Sequence, residues 1–466
     1  MKTRFDPNLS VSKIKDSKKY GFIVSATHSG AGKSSLTAGL MRLFSRKGYQ
    51  VAPFKSGPDY IDPSHHERAC SRPSYNLDTK MCSKSYVRKL FEETSHSANM
   101  VIAEGVMGLF DGASATNETG STAQIAKLIG LPVLFVFNGS AMARSSAALV
   151  KGFKEFDPDL RFLGVVANKV NGARHAEMIR RAVESHTGLP FLGHLPFDPK
   201  LEISSRHLGL QLGAEQTDDL YERWADHVEN HLDIKKILRL AEIPLLENRK
   251  PPRSRWNHST TIKPFTVAVA RDSAFQFIYQ DTLDQFRFYG GSIQFFSPIA
   301  DKTIPNGADW LYLPGGYPEL FAKQLSENTT MRKSIRLWGQ SGKPVVAECG
   351  GMMYLGKSLT TEEGTKFKMA GLFQFETTLN PKRMTLGYRD LKFDSGTKET
   401  IRLKGHEFHF SHFSNNPEKP QMTSDTKASN PAVADGYVFK NSIASYTHIY
   451  WGADSKWLKH ILSKLR

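Results

Sequence analysis

Residues 22–47 constrain this chain more than any other stretch. A short apolar run, 22–25, stops at a glycine-containing loop, Gly30, Ala31, Gly32, Lys33, Ser34, and residues 35–47 then carry apolar side chains at helical spacing. Strand, tight loop and helix in that order aim successive backbone N–H groups and a helix start at one point. Phosphate oxygens suit that point, with a lysine to neutralise them and a hydroxyl to reach a magnesium ion. Gly30, Gly32, Lys33, Ser34 and Ser35 are therefore the expected nucleotide contacts. The pattern departs from the usual glycine, four residues, glycine, lysine spacing, because Thr27 stands at the first glycine position.

Further apolar runs at 51–54, 100–103, 133–137, 162–166 and 191–195 alternate with helix-like or polar stretches, which predicts a parallel sheet covered by helices on both faces. The pattern stops at 248–263, where Pro251, Pro252 and several basic residues read as an exposed linker. A second series begins at 266–270 and continues through 310–313 and 345–348; after Gly364 it turns to shorter strand-like pieces, including 408–413 and 443–449. The expected architecture is a flexible leader over 1–19, an α/β domain over 20–247, the linker 248–263 and a second α/β domain over 264–466.

No run approaches the roughly 20 apolar residues of a membrane span, and the first twenty residues lack the apolar core of a secretory signal. Three cysteines, Cys70, Cys82 and Cys349, are too few for a disulfide framework, so a reducing cytoplasm is the expected setting. The net charge of +16 comes from 62 basic against 46 acidic residues. These are dispersed and carry no zinc-finger or RNP signature, so the charge is read as solvated surface able to attract a polyanionic small molecule, not as a specific nucleic-acid site.

Carboxylates at strand ends extend the first site. Asp59, Tyr60 and Asp62 follow the run ending at Phe54, and Glu104 follows Ala103; in a parallel sheet such residues line the crevice that holds the loop. Ser34, Asp59 and Glu104 offer the hard oxygens magnesium prefers. Asp59, Tyr60 and Asp62 are candidates for contacting substrate or intermediate, with a plain turn role as the alternative for Asp62. Asn168, at another strand end, could read a base edge through its amide.

A second, chemically unrelated constellation lies downstream. Residues 345–348 read as a buried strand, and Cys349 follows it before Gly350 and Gly351, which permit a sharp strand-to-helix turn like a nucleophile elbow. A thiol there is expected to be exposed and near amide dipoles, conditions that lower its pKa. His448 is the candidate base, and Gly315 and Gly316, together with Gly350, are candidate oxyanion donors. His406, Glu407, His409 and His412 invite a zinc assignment, but the spacing is wrong and β alternation separates His409 from His406 and His412, so lining or structural roles are expected.

Taken together, these residues resemble the cobyrinic acid a,c-diamide synthase family from about Tyr20 to the C-terminus. The segments that carry the resemblance are 29–35, 53–63, 103–112, 168–170, 313–319, 348–351 and 405–411. The resemblance implies an N-terminal domain similar to dethiobiotin synthetase and a C-terminal class I glutamine amidotransferase domain, with Cys349 as nucleophile and His448 as its base. Relatives of that class often have a glutamate two residues after the histidine, where this chain has Tyr450, so a two-member pair is implied. Ala26 stands where relatives often have glycine. The implied reaction amidates the a and c carboxylates of a corrinoid polycarboxylate, with ATP, Mg2+ and L-glutamine, through acyl phosphates. Hydrogenobyrinic acid and nickel sirohydrochlorin are alternative substrates, a partition-type ATPase switch is the alternative of another class, and a homodimer is left open.

Overall fold

The computed structural model describes residues 18–203, 205–206, 209–243, 252, 254–256, 263–380, 382–394, 400–424 and 434–465. Most of the expected leader and much of the 248–263 stretch lie outside the described residues.

The first half forms a parallel sheet of β1 (Lys19–Ala26), β2 (Val51–Ser56), β3 (Tyr75–Leu77), β4 (Met100–Glu104), β5 (Val133–Asn138), β6 (Phe162–Asn168) and β7 (Phe191–Leu195), in spatial order β3-β2-β4-β1-β5-β6-β7. Glu242–Ile243 adds an antiparallel pairing to β1. The interior strands are buried on both faces, which is why they read as continuous apolar runs and not as alternating ones. One face is covered by Val87, Leu90, Ile125, Val150 and Ile179, the other by Leu36, Leu40, Phe44, Trp224 and Ile237. Helices therefore lie on both sides, as the alternation predicts. Chain order reverses about β1, with β4 and β5 on its two flanks, so the loop after β1 opens into the crevice at the carboxyl ends of the strands.

The second half is a ten-strand mixed sheet. Gly291–Phe296, Phe265–Ala270, Trp310–Leu313, Val345–Glu348 and Ser442–Ser445 run parallel; Ala434–Phe439, Pro420–Ser424, Thr385–Asp394, Thr400–His409 and His448–Ile449 continue it antiparallel. Ser445 and His448 are three residues apart in the chain yet sit on strands five places apart in the sheet. That is possible only if the sheet curls until its far end returns to its middle, so that His448–Ile449, paired with Gly405 and His406, lies within three residues of Ser445, the partner of Glu348. The expected pieces 408–413 and 443–449 are each split into two strands: residues 446–447 turn the chain to make this closure, whereas at Phe410 it leaves for a separate four-stranded sheet, where Ser411–Asn415 pairs with Glu376–Leu379.

The two halves are bound together by a buried polar clamp. Asp281 accepts hydrogen bonds from Tyr86 at 2.7 Å, Tyr450 at 2.6 Å and Arg255 Nε at 2.8 Å, and Arg255 also reaches Asp284 and Glu93. Trp256 Nε1 donates to the Gly452 carbonyl at 2.6 Å. The expectation of an exposed linker fails here: Arg255 and Trp256 are each 8% exposed. A charged residue and an aromatic one in a proline-rich stretch find partners from both halves, which composition alone does not reveal. Among the described residues, no helix is long and apolar enough to cross a membrane.

Candidate active sites

The loop after β1 is shaped by two left-handed glycines, Gly30 at φ 81° and Gly32 at φ 98°, and Gly32 caps the helix α1 (Lys33–Arg46). Gly32 is also required sterically, since a Cβ there would lie 2.0 Å from Asn168 Nδ2. Lys33 Nζ folds back over the loop and donates to the His28 carbonyl at 3.1 Å and the Met107 carbonyl at 2.6 Å. Burial, with the Lys55 charge adding to it, pulls the Lys33 ammonium down to about 8. Ser34 Oγ donates to Glu104 Oε1 at 2.7 Å, so the hydroxyl and the strand-end acid are brought together as expected, while Ser35 Oγ turns back to the Gly32 carbonyl.

Asn168 is tied to the loop itself. Its Nδ2 donates to the Ala31 carbonyl at 2.9 Å and its Oδ1 accepts the Lys169 N–H at 2.9 Å. In this arrangement the amide braces the glycine loop. The cavity beyond it is lined by Lys169, Pro196 and Phe197, with Lys169 over the Phe197 ring at 5.3 Å.

The acids converge on a residue that motif reasoning passed over. Lys55 is 2% exposed and pairs with Asp62, with Glu104 at 3.3 Å and with Asp59 at 3.6 Å, and it donates to the Gly105 carbonyl. Its signal in the sequence is a lysine inside an otherwise apolar strand, which a buried strand accepts only with counter-charges. Burial alone would raise the Asp62 carboxyl, but Lys55 holds it well below the ordinary carboxylate range. Burial and the Asp62 charge push Asp59 up to about 7. Asp59 Oδ1 also accepts the N–H groups of Ile61 at 2.7 Å and Asp62 at 3.3 Å, so the turn role belongs to Asp59 and not to Asp62. His66 Nε2 lies 2.8 Å from the second Glu104 oxygen. Among the described residues no group of three His, Cys, Asp or Glu side chains converges as a ready metal cage. The donors here are a hydroxyl and carboxylates, the hard oxygens that suit a cation such as magnesium.

The second site is built on backbone strain. Cys349 has φ 46° and ψ −106°, a conformation costing about 1–3 kcal/mol for a residue with a side chain, and Gly350–Leu355 starts directly after it. Strand pairing holds the turn: Cys349 N donates to the Ser445 carbonyl at 2.7 Å. Glu348, one residue earlier, is buried and accepts from Tyr312 at 2.9 Å and Trp451 at 2.8 Å; burial pushes its carboxyl up to about 8. Close approach explains the glycines. A Cβ on Gly350 would lie 3.0 Å from Gly316 N, one on Gly316 would lie 2.1 Å from the Ala274 carbonyl oxygen, and one on Gly315 would lie 2.1 Å from His448 Cε1. The Gly315–Gly316 pair thus touches both the cysteine turn and the imidazole.

One expectation is corrected. Cys349 is 3% exposed, and its thiol is pushed up, not down: burial dominates, Glu319 adds to it, and the Gly350 N–H offsets only part. His448 is likewise buried, and burial with the nearby His406 and His409 pulls it down to about 3, so the imidazole is neutral. No hydrogen bond joins the thiol to the ring; neither ring nitrogen has a partner among the described residues.

The histidines divide as β alternation requires. His406 and Phe408 line the large cavity between the halves, whereas Glu407 and His409 lie on the opposite face of their strand, and His412 sits on the following strand. Glu407 pairs with Arg389 at 2.7 Å and accepts from Thr447; His409 stacks on Tyr446 at 4.1 Å. Tyr450, at the position of the absent glutamate, is committed to Asp281.

Among the described residues a cavity of about 1150 Å³ runs from the phosphate loop to His448; Cys349 and the Gly315–Gly316 turn lie behind that ring and do not line it. Its wall runs from Lys33 and Ser34 past Lys55, Asp59 and Tyr60 to Phe277 and His448, and is completed by Leu386, Tyr388 and Arg389. Tyr388 donates to Asp78 at 2.9 Å, and Lys404 donates to the Lys80 carbonyl at 3.2 Å, which fastens this strand pair to the first half.

Comparison with known proteins agrees with this division. Residues 22–210 match the CobQ/CobB/MinD/ParA nucleotide binding domain, and residues 266–456 match the CobB/CobQ-like glutamine amidotransferase domain. The cobyrinate a,c-diamide synthase of Priestia megaterium is 37% identical over 443 residues, covering 94% of this chain and 95% of the relative. That of Syntrophotalea carbinolica is 40% identical, covering 92% and 95%. That of Caldanaerobacter subterraneus subsp. tengcongensis is 37% identical, covering 92% and 94%.

Proposed function

We infer the reaction of this chain from the family to which it belongs, the cobyrinate a,c-diamide synthases, glutamine-dependent ligases of cobalamin biosynthesis. The reading is that it amidates the a and c side-chain carboxylates of cobyrinic acid with ATP and glutamine. The observation that carries it is the continuous cavity from the phosphate loop to His448, because an activated acid and a nitrogen source are useful only if they meet.

In the first half, a substrate carboxylate oxygen attacks the γ-phosphorus of ATP and ADP leaves, giving an acyl phosphate. Gly30, Gly32 and the start of α1 cradle the phosphates, and Lys33 leaves its carbonyl partners to neutralise them. Ser34, Asp59 and Glu104 would hold magnesium, which when bound neutralises phosphate charge. Lys55 keeps Asp62 ionised, and the Asp59 carboxylate, by accepting the Ile61 and Asp62 N–H groups, sets the turn that presents Tyr60.

In the second half, Cys349 Sγ attacks the glutamine side-chain carbon while His448, neutral and therefore able to accept, takes the thiol proton. The tetrahedral oxyanion is met by N–H groups of the Gly315–Gly316 and Gly350 turns. Collapse to a thioester releases ammonia with that proton, and water then frees glutamate. Ammonia crosses the cavity and displaces phosphate from the acyl phosphate. Burial keeps thiol and imidazole neutral at rest; the attack of Cys349 makes an imidazolium and an oxyanion together, a pair of opposite charges whose negative member the glycine N–H groups meet.

The cavity wall fits a flat apolar ring with acidic arms: Met107 and Leu386 are exposed apolar side chains, while Lys80, Lys169 and Arg389 are basic. Hydrogenobyrinic acid and nickel sirohydrochlorin share that chemistry. The test is mass spectrometry of each tetrapyrrole incubated with ATP, magnesium and glutamine. Two successive one-amide increments on cobyrinic acid are expected. Cys349→Ala should lose glutamate release and keep ammonia-driven amidation; undiminished glutamate release would refute the reading.

A further inference from the structure

His448 is held without polar anchors. With neither ring nitrogen bonded among the described residues and 1% exposure, no carboxylate or carbonyl sets the rotation of the imidazole. Tyr450, two residues on, is turned away to Asp281. Such a ring keeps one orientation only through the surfaces packed on it. One surface is Gly315, whose missing side chain is the space the ring edge occupies. The others are aromatic: Tyr60 has its ring centroid 5.0 Å away and Phe277 6.0 Å away, and these two stack on each other at 5.1 Å and 8°. Tyr60 belongs to the first half of the chain, where the Asp59 carboxylate, by accepting the Ile61 and Asp62 N–H groups, fixes the turn that carries it.

We propose that Tyr60 is a positioning residue for His448, so that the glutamine-hydrolysing site is complete only when the nucleotide-binding half is packed against it. This rests on Cys349 and His448 being the glutaminase pair. It gives Tyr60 a task separate from the substrate contact that the sequence suggested. Where a carboxylate orients a histidine, trimming a neighbouring ring matters little; here the ring is itself the support.

The experiment measures glutamate release by the full chain without ATP or tetrapyrrole, so that the synthetase reaction does not enter. Tyr60→Phe keeps the flat face and should stay within about twofold of the parent. Tyr60→Ala should lower kcat about 10²-fold at unchanged KM for glutamine, the effect of a misplaced catalytic group. In a His448→Ala background the same substitution should add nothing. A parent-like kcat in Tyr60→Ala, a loss confined to KM, an equal loss in Tyr60→Phe, or full additivity with His448→Ala would each overturn the proposal. If Tyr60→Ala does not fold, Tyr60→Leu decides by the same criteria. Glutamate release that survives Cys349→Ala would instead bring down the underlying reading, and the two failures are thereby distinguished.

Discussion

The two sites solve the same problem, a functional group at a strand end, by opposite means. Around the phosphate loop the charged and amide groups are partnered: Lys33 on two carbonyls, Asn168 on two backbone groups, Lys55 on three carboxylates. Around Cys349 the thiol is buried and both His448 ring nitrogens are unbonded among the described residues, and geometry is held by a strained φ and by glycines that let other groups approach. A site that must neutralise a polyanion gains from preorganised charge, whereas a site that must hold a thiol and an imidazole in one arrangement without polar anchors gains from close packing. The first should therefore fail through lost charge and the second through added atoms.

The largest effect expected from breaking this contrast is at Lys55. Lys55→Met leaves Asp62 and Glu104 buried without their counter-charge, a change worth roughly 3–5 kcal/mol. Denaturant titration should show that loss of folding free energy, and a variant as stable as the parent would mean the cluster is not held by charge. Gly315→Ala should act on the other site alone: the new Cβ meets His448 Cε1 at 2.1 Å, so glutamine-dependent turnover should fall about 10²-fold while ammonia-driven amidation persists. Equal loss with both nitrogen donors would show that the site is not steric in origin. Asn168→Ala removes two hydrogen bonds beneath the loop and should weaken ATP binding about tenfold by calorimetry, at the ~1 kcal/mol scale of such bonds.

The smallest effect is in pH dependence. Asp59, raised to about 7, is protonated below that pH and ionised above it, so affinity for magnesium with nucleotide should rise as pH climbs through about 7. Lys33, lowered to about 8, loses its charge above that pH, so affinity should fall again. The folded state holds the Asp59 proton more tightly than the unfolded chain does, so this group's contribution to stability is present below about 4 and lost as pH rises to about 7. Asp59→Asn should flatten the acid limb of the binding curve. Glutaminase, with His448 already neutral at about 3, should lack the usual histidine step near 6.5; a clear inflection there would remove the contrast.

Much of the site was legible because its elements are local. The strand, loop and helix at 22–47, the acids at strand ends and the turn at Cys349 each lie within a few residues, and periodicity places them. His66 and Arg255 escaped because their meaning is a partner farther along the chain, Glu104 and Asp281; Lys55 escaped because its near partners Asp59 and Asp62 gain their meaning only from the burial that the fold imposes. Cys349 was misjudged for a related reason. The turn geometry was correct, but exposure depends on what the second sheet and the first half place over it.

Chain order and residue pattern by themselves determined the two α/β units, the phosphate loop, the cysteine turn and the likeness to one family, since each is written in short-range spacing. Tertiary structure alone decided that Asn168 braces the loop, that the thiol is buried, and that Tyr60 leans on His448 across the boundary between halves. Burial and side-chain contact between distant segments depend on how the second sheet curls and how the halves dock, and no local propensity encodes either.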